Sequence, residues 1–285
     1  MFAKRSDGRV VKTIGPLEKI IPYIMKTRTD SMNLFEEDVD CSYIDAYIKE
    51  KKEEGIKLNY IHVLVAAMVR LFALKPGLNR FVMRGRIYTR PKIWVSFAMH
   101  TSLRDDSAET TVKLCFDGTE TIFDVAKAID DVIVKETNAA KEHNNTDKMA
   151  AKIMSLPPFL IRFAVNTLMW MDRHNMLPKK IIELSPFHTS IFFTNLKSLG
   201  ISSIYHHVYE FGTTGFFLGV GKEKHLPTLQ SDEVVPGKLL NLKIVTDERY
   251  CDGLYFARAF RLFRQLMQDP RPLETPLEAK VEDIP

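Results

Sequence analysis

The amino-acid sequence predicts an α/β fold, an α+β two-layer sandwich in which helices cover one mixed sheet. Three observations carry this prediction. Helical patterns dominate the first half of the 285-residue chain, apolar strand patterns dominate its end, and strands that must pair lie far apart in sequence. Neither an internal repeat nor a low-complexity linker interrupts this order.

The first half opens with a helical pattern, PLEKIIPYIMKTR, with Pro16 in its first turn. NLFEEDVD then alternates as a strand does, and SYIDAYIKEKKEE follows as a helix that Ser42 would cap and Gly55 would stop. The segment from Asn59 to Leu74 is apolar nearly all round, which indicates a buried helix that ends at the Lys-Pro pair after it.

Short strands are predicted next, around FVMRGRIYTR, KIWVSFAMHTS and TTVKLCF. Thr121 would cap the helix TIFDVAKAIDDVIVKE, which carries one apolar stripe. Two or three further helices fill 145–184. The chain then has the strands HTSIFFTN, TGFFLGVG and LLNLKIVTD, a helix from about 254 to 268, and a proline-rich acidic tail.

These elements divide the chain into three parts. We assign 1–10 to an N-terminal arm, 11–270 to one domain with an apolar helical insertion at about 145–187, and 271–285 to a C-terminal tail. A chain of this length can bury a sizeable core in one large domain.

Composition limits the function classes. With 45% hydrophobic and 27% charged residues the chain is typical of a soluble globular protein, and its net charge of +4 is spread along the sequence, which argues against a nucleic-acid partner. MFAKRSDGRVVK has no apolar core of a signal peptide. The most apolar segment, Met154 to Leu177, is broken by prolines and charges. We therefore expect a cytoplasmic protein without a membrane span.

The cysteines and histidines do not predict a metal site. Three cysteines form no CxxC pair and eight histidines show no HExxH spacing. We expect neither a zinc site nor a disulfide framework.

Four segments carry a resemblance to a known family: GIKLNYIHVLVAAMVRLFALKPGLNRF, TSIFFTNLKSLG, GFFLGVGK, and DERYCDG followed by an amphipathic helix and DP. They resemble the buried helix with its Pro-x-Leu-Asn stop, the T-F-T-I-S-N-L-G strand, the A-I-L-G-V-G strand and the D-H-R-x-x-D-G signature of the dihydrolipoyl acyltransferases. These are the acyltransferase catalytic domains of 2-oxo acid dehydrogenase complexes, structural relatives of chloramphenicol acetyltransferase. The resemblance runs from about Val11 to Pro270.

The resemblance implies a fold, a substrate and an assembly. We expect the chloramphenicol acetyltransferase-like fold, coenzyme A or acyl-CoA as substrate, and a homotrimer in which the signature loop of one subunit completes a channel formed with its neighbour. The chain carries no Asp-Lys-Ala lipoylation turn, so we expect no covalently bound lipoate.

The resemblance also implies catalytic residues. Glu248 stands where the family has the histidine that acts as general base, and Thr194 matches the serine that donates a hydrogen bond to the oxyanion. Threonine keeps that donor. Asn195 matches the following asparagine, whose simplest role is to fix a turn. Because an ordinary glutamate has a pKa of about 4.3 and an imidazole about 6.5, Glu248 is the weaker base.

Other residues could supply or support that base. His100, His206 or His207 could replace it if folding brings one of them to the acyl pocket. Asp252 and Gly253 match the Asp-Gly pair that, in the family, supports the signature loop through a buried ion pair with an arginine.

We predict Arg28 as the partner of Asp252. Arg249 would lower the pKa of Glu248 if it points the same way.

The insertion carries SLPPFLIRFAVNTLMWMDRHNMLPKK, a helix that is apolar on most sides and should be buried against the core or another subunit. An alternative is a lid over an acyl channel lined by Phe163 and Trp170.

Two functions remain open. The first is a stand-alone acyltransferase that moves an acyl group between coenzyme A and a small acceptor. The second is a catalytically inactive trimeric relative, a pseudoenzyme that binds an acyl or coenzyme A type ligand or serves as an assembly scaffold. The resemblance favours the first, and Glu248 at the histidine position favours the second.

Overall fold

The computed structural model describes residues 5–100, 109–139, 154–230 and 232–283. Its α-helices are α1 (Pro16–Ile24), α2 (Cys41–Glu53), α3 (Tyr60–Leu74), α4 (Ile122–Ala139), α5 (Pro158–Arg173), α6 (Lys179–Leu184) and α7 (Gly253–Gln268). Its strands are β1 (Arg9–Val10), β2 (Met32–Asp40), β3 (Arg80–Met83), β4 (Arg86–Thr89), β5 (Ile93–His100), β6 (Glu109–Phe116), β7 (Ile191–Asn195), β8 (Phe216–Gln230) and β9 (Glu233–Asp247).

The main sheet has six strands in the order β2-β9-β8-β7-β5-β6. Strand β7 runs parallel to both of its neighbours, and the other pairs are antiparallel. A small second sheet, β1-β4-β3, brings the N-terminal residues onto the body. The predicted mixed sheet with helices packed on it is therefore confirmed, while the boundaries assigned to arm, domain and tail stay predictions.

The main core lies between the sheet and a layer formed by α2, α3, α4 and α7. Every residue from His62 to Ala73 of α3 is buried, as its nearly continuous apolar sequence predicts. Phe72 of α3 meets Phe216 of β8 edge to face, with ring centroids 5.4 Å apart. On the opposite face of the sheet, a smaller apolar cluster contains Phe192, Val208, Phe217 and Val245.

One of the two predicted helix caps is confirmed. Thr121 caps α4 by accepting from the Asp124 amide, and Asn59, for which no cap was predicted, caps α3 by accepting from the His62 amide. The predicted Ser42 cap is wrong. The helix begins directly where β2 ends, so the Asp40 carboxylate accepts from the Ser42 amide at 2.8 Å.

Strands β8 and β9 extend well beyond the apolar runs that predict them. They continue as a long hairpin in which Pro227 lies opposite Pro236. Prolines cannot donate to a ladder and are depleted from central strands. The sequence therefore gives only a weak strand signal for this extension.

Helix α5 lies on the surface of the subunit. Phe163 is 70% exposed and Trp170 51% exposed, so these aromatic residues do not pack against the core of one subunit, while burial against another subunit stays a prediction. Within the described ranges, no helix is both long enough and apolar enough to cross a bilayer.

A buried polar cluster ties α5 to the body. The Asp172 carboxylate lies 2.8 Å from the Arg5 guanidinium and 3.2 Å from Nε2 of His188, and all three residues are buried. Burial raises the pKa of Asp172, but the hydrogen bond and charge of His188 and the charge of Arg5 outweigh it and lower that pKa to about 2. The end of α5 is thus anchored by charge instead of by the exposed aromatic residues of that helix.

Asp172→Asn should lower the free energy of unfolding by about 3 kcal/mol, because it leaves the buried Arg5 without one of its carboxylate partners. Urea denaturation measures this. Asp131→Asn on α4 is the matched control: it changes an exposed carboxylate and should shift stability by at most about 0.5 kcal/mol.

The same anchor should be sensitive to acid. The folded-state pKa of Asp172 lies below its ordinary value of 3.8, so its stabilisation is present above about pH 4 and is lost as the pH falls towards 2. Wild type should therefore lose more stability between those pH values than Asp172→Asn does. Equal losses would contradict the anchoring role.

Candidate active site and the signature turn

The DERYCDG segment, residues 247–253, forms a tight turn between β9 and α7, which we call the signature turn. Strand β9 ends at Asp247, a short 3₁₀ turn covers Glu248–Tyr250, and α7 begins at Gly253. Both ends of the turn are capped by carboxylates. Asp247 accepts from the Arg249 amide at 3.1 Å, and Asp252 accepts from the Tyr255 amide at 2.7 Å.

A buried ion pair holds this turn. Arg249 donates to both oxygens of Asp247, from Nε at 2.8 Å and from Nη2 at 2.6 Å, with the two side chains 4% and 1% exposed. Burial disfavours the charged guanidinium, but the hydrogen bonds and charge of Asp247 outweigh burial and raise the pKa of Arg249. This bidentate geometry fixes both side chains.

Side-chain hydrogen bonds connect the turn to the rest of the subunit. The Ser31 hydroxyl donates to Asp247 at 3.1 Å, Arg249 Nη1 donates to the Met25 carbonyl at 3.4 Å, and the Tyr250 hydroxyl donates to the Gly215 carbonyl at 2.7 Å. The turn is thereby tied to the loop before β2 and to the start of β8.

The ion pair decides where Glu248 points. Arg249 faces inward and pairs with Asp247. It therefore does not point the same way as Glu248, which was the condition for Arg249 to lower the pKa of that carboxyl. Glu248 itself is exposed. The carboxylate at the family's histidine position is therefore free to meet a substrate or another subunit.

The predicted pairing of Arg28 with Asp252 is wrong. Arg28 is buried, but its guanidinium donates to the carbonyls of Tyr209, Glu210 and Val82. Asp252 is exposed and caps α7, with Gly253 as the first residue of that helix. This turn does contain a buried ion pair, but the pair joins Arg249 to Asp247 within the turn itself. The family pattern does not predict this pairing.

Thr194 and Asn195 lie at the carboxyl end of β7, both half-buried. Thr194 pairs with Gly219 of β8 and, because parallel partners share a face, lies on the face of Phe192 and Phe217. The Oδ1 atom of Asn195 is buried and has no hydrogen-bond partner in the described part of the chain. An orphaned buried acceptor here calls for an explanation, such as a bound molecule or an ordered water.

His206 lies over the same face. Its ring stacks on Phe217 with centroids 4.4 Å apart, and a Cβ placed on Gly219 would lie 3.7 Å from its Cδ2 atom. Burial, with a smaller effect of His207, lowers the pKa of His206, and Nε2 has no hydrogen-bond partner among the described residues. The structure thus brings this histidine next to the strand partner of Thr194.

The other two histidines are less informative. His207 is exposed and packs edge-on against Tyr209. The side chain of His100 lies outside the described residues. Among the residues that are described, no group of three or more His, Cys, Asp or Glu side chains could hold a metal ion.

Within one subunit, Thr194 and Glu248 are far apart. Thr194 is in register with Gly219 and, one strand further, with Lys243, whereas Glu248 follows Lys243 by five residues. At about 3.4 Å per residue and about 4.8 Å per strand, their Cα atoms lie about 20 Å apart. One copy of the chain therefore does not bring the two predicted catalytic side chains together.

Neither a protein-family profile nor a curated protein sequence matches this chain. Solved structures with similar folds do exist. A probable dihydrolipoamide acetyltransferase from Listeria monocytogenes superimposes with a TM-score of 0.59 at 16% identity, covering 90% of this chain and 93% of its own.

Two further structures are similar. The dihydrolipoamide acetyltransferase of Azotobacter vinelandii has a TM-score of 0.56 at 15% identity, covering 85% of this chain and 83% of its own. A chloramphenicol acetyltransferase has a TM-score of 0.56 at 10% identity, covering 91% of this chain and 99% of its own. The chain thus has the fold shared by dihydrolipoamide acetyltransferase catalytic cores and chloramphenicol acetyltransferase, as the sequence resemblance predicts.

Proposed function

We propose that this chain is an acyltransferase that moves an acyl group between a coenzyme A thioester and a small acceptor, at sites shared between copies in a homotrimer. The observation that carries the proposal is Thr194, half-buried at the carboxyl end of β7 on the sheet face of Phe192 and Phe217, at the position of the family's oxyanion serine. It is followed by Asn195, whose buried Oδ1 has no hydrogen-bond partner among the described residues. The proposal needs neither covalently bound lipoate nor a metal ion.

The spacing of these residues supports the assignment. A serine, a histidine and an asparagine of the Azotobacter vinelandii enzyme were investigated for their role in its catalytic mechanism. The serine precedes the histidine by 52 positions, and the asparagine follows the histidine by four. Here Thr194 precedes Glu248 by 54 positions, and Asp252 follows Glu248 by four. Similar spacing within the same fold favours similar roles.

The proposed reaction uses two side chains directly. Glu248 accepts the proton of the acceptor's thiol or hydroxyl, and the freed sulfur or oxygen attacks the thioester carbonyl. The Thr194 hydroxyl donates a hydrogen bond to the oxyanion that forms. Collapse of this intermediate breaks the carbon–sulfur bond, and the leaving thiolate takes up the proton held by Glu248.

The separation of these two groups supports a site shared between copies, and the homotrimer that the family resemblance implies is the assembly we propose for it. If Glu248 and Thr194 serve one reaction, they must come from different copies, since about 20 Å separates their Cα atoms in one. The exposed Phe163 and Trp170 of α5 are a surface that a neighbouring copy could cover, and only in such an assembly would they line an acyl channel.

His206 is a second candidate for the base. It lies on the same sheet face as Thr194, and its buried Nε2 has no hydrogen-bond partner among the described residues. This arrangement would need no second subunit.

The alternative function is a non-catalytic relative that binds an acyl or coenzyme A type ligand. Glu248 at the histidine position is the observation that favours it, because a carboxylate is intrinsically the weaker base.

Glu248→His should increase coenzyme A dependent acyl transfer by about 10²- to 10⁴-fold, the usual contribution of a positioned general base. Thiol release from coenzyme A esters of graded chain length measures this. Glu248→Gln is the matched control, because it keeps the shape of the side chain and removes the carboxylate; it should abolish any wild-type activity.

His206→Gln separates the two candidate bases. If Glu248 is the base, this variant should keep wild-type activity, whereas loss of activity here and not in Glu248→Gln would assign the base to His206. If wild type and all three variants are equally inert with every thioester while folded, the binding function replaces the enzymatic one.

Sedimentation velocity in dilute buffer should show a species of three chains. Alanine at both Phe163 and Trp170 should weaken that association, since exposed aromatic residues contribute most when a partner buries them. A wild-type protein that stays monomeric at micromolar concentration would exclude the shared site.

A further inference from the structure

A cavity of about 330 Å³ lies where α1, the β3-β4 turn, α5 and the signature turn meet. Its lining is strongly basic. Two carboxylates, Asp172 and Glu210, line it against five cationic side chains: Lys26, Arg28, Arg84, Arg173 and Arg249.

The buried part of this cavity carries a positive charge that has no direct counter-ion among the described residues. Arg28 is buried, and within the described ranges its guanidinium bonds only to backbone carbonyls, whereas Arg249 is neutralised by Asp247. Burial outweighs the nearby charge of Asp247 and lowers the pKa of Arg28. A buried charge without a partner is costly, so an anion in the cavity would stabilise the structure.

The two carboxylates are already engaged. Asp172 is bound by Arg5 and His188. Glu210 accepts from the backbone amides of Arg28 and Thr29 at 2.9 and 3.1 Å. The charge of Asp172 is therefore balanced by Arg5, and that of Glu210 acts on the buried Arg28 and Arg249, which leaves the exposed cations of the rim without a paired carboxylate among the described residues.

The rim offers free cations. Lys26, Arg84 and Arg173 are exposed, and in the described ranges none of them forms an ion pair. Arg173 belongs to α5 and Arg84 to the β3-β4 turn, so the rim cations come from separate elements that converge on one cavity.

Arg84 is also in an unusual backbone conformation. Its φ is +50° and that of Gly85 is +70°, in a two-residue turn that joins Met83 to Arg86. Such turns strongly favour Asn-Gly over other pairs. An arginine at this left-handed position is a local strain of the kind that accumulates at functional sites.

We propose that this cavity binds a small organic anion, a carboxylate or phosphate head on a short apolar body. The anionic head binds the rim cations Lys26, Arg84 and Arg173, and the positive charge of the buried Arg28 adds to this attraction. The apolar body packs on Met83, Met169 and Phe211, which line the same cavity. This site is independent of the proposed acyl transfer, because its ligand needs no thioester and no turnover.

Isothermal titration calorimetry with phenyl phosphate and with hexanoate tests the site and distinguishes the two head groups. At least one should bind at a single site, and more weakly at high salt. Hexanol, which lacks the charge, should show no binding. If neither anion binds, or if hexanol binds as well as hexanoate, the proposal is wrong.

Variants locate the binding. Arg84→Asn and Arg173→Gln should each raise the dissociation constant about tenfold, the usual effect of losing one hydrogen bond to a charged group. Arg162→Gln is the matched control, since it removes the same charge from the exposed surface of α5 away from the cavity, and it should leave binding unchanged. Equal weakening by all three variants would mean diffuse charge attraction and would overturn the site.

Arg84→Asn gives a second readout with the opposite sign. Because Asn-Gly suits this turn better than Arg-Gly, the variant should unfold at a higher temperature while binding the anion more weakly. A variant that is less stable and also binds less would contradict a functional reason for the strain. None of these measurements uses acyl transfer, so they remain decisive if the chain proves inactive.

Discussion

The buried Arg249–Asp247 ion pair is the interaction on which the candidate site depends. It closes the turn after β9, and its contacts with Ser31 and Met25 fix that turn to the first segment of the chain, while the neighbouring Tyr250 bonds to the Gly215 carbonyl at the start of β8. Removing one partner of such a pair leaves an uncompensated buried charge, which is strongly destabilising. The pair also turns Arg249 inward and leaves Glu248 exposed.

Two functional consequences follow from this geometry. Glu248 and Thr194 lie at different positions along the sheet, so a reaction that uses both must occur between copies of the chain. Arg249 also lines the basic cavity under α5, so the signature turn faces the proposed anion site on one side and the candidate catalytic position on the other. Helix α5 thereby contributes Met169, Asp172 and Arg173 to the proposed anion site.

Sequence patterns predicted the elements that depend on local periodicity. The burial of α3 and the Thr121 cap follow from such local signals. Features set by long-range contacts could not be predicted in this way. The partner of Arg28 depends on how the chain approaches residues 209–210, and the anchoring of α5 depends on Arg5, which lies far from Asp172 in the sequence. No sequence motif contains His206, so its position near Thr194 could not be predicted; it follows from the stacking of its ring on Phe217.

Chemical cross-linking tests the shared site most directly. Thr194→Cys and Glu248→Cys chains, both with the exposed Cys115 replaced by serine, would be mixed, allowed to exchange subunits and treated with a short bifunctional maleimide. The account predicts a covalent dimer that contains one chain of each kind, identified by mass spectrometry of the linked peptides. An assembled protein that gives no link between the two introduced cysteines of different chains would contradict it.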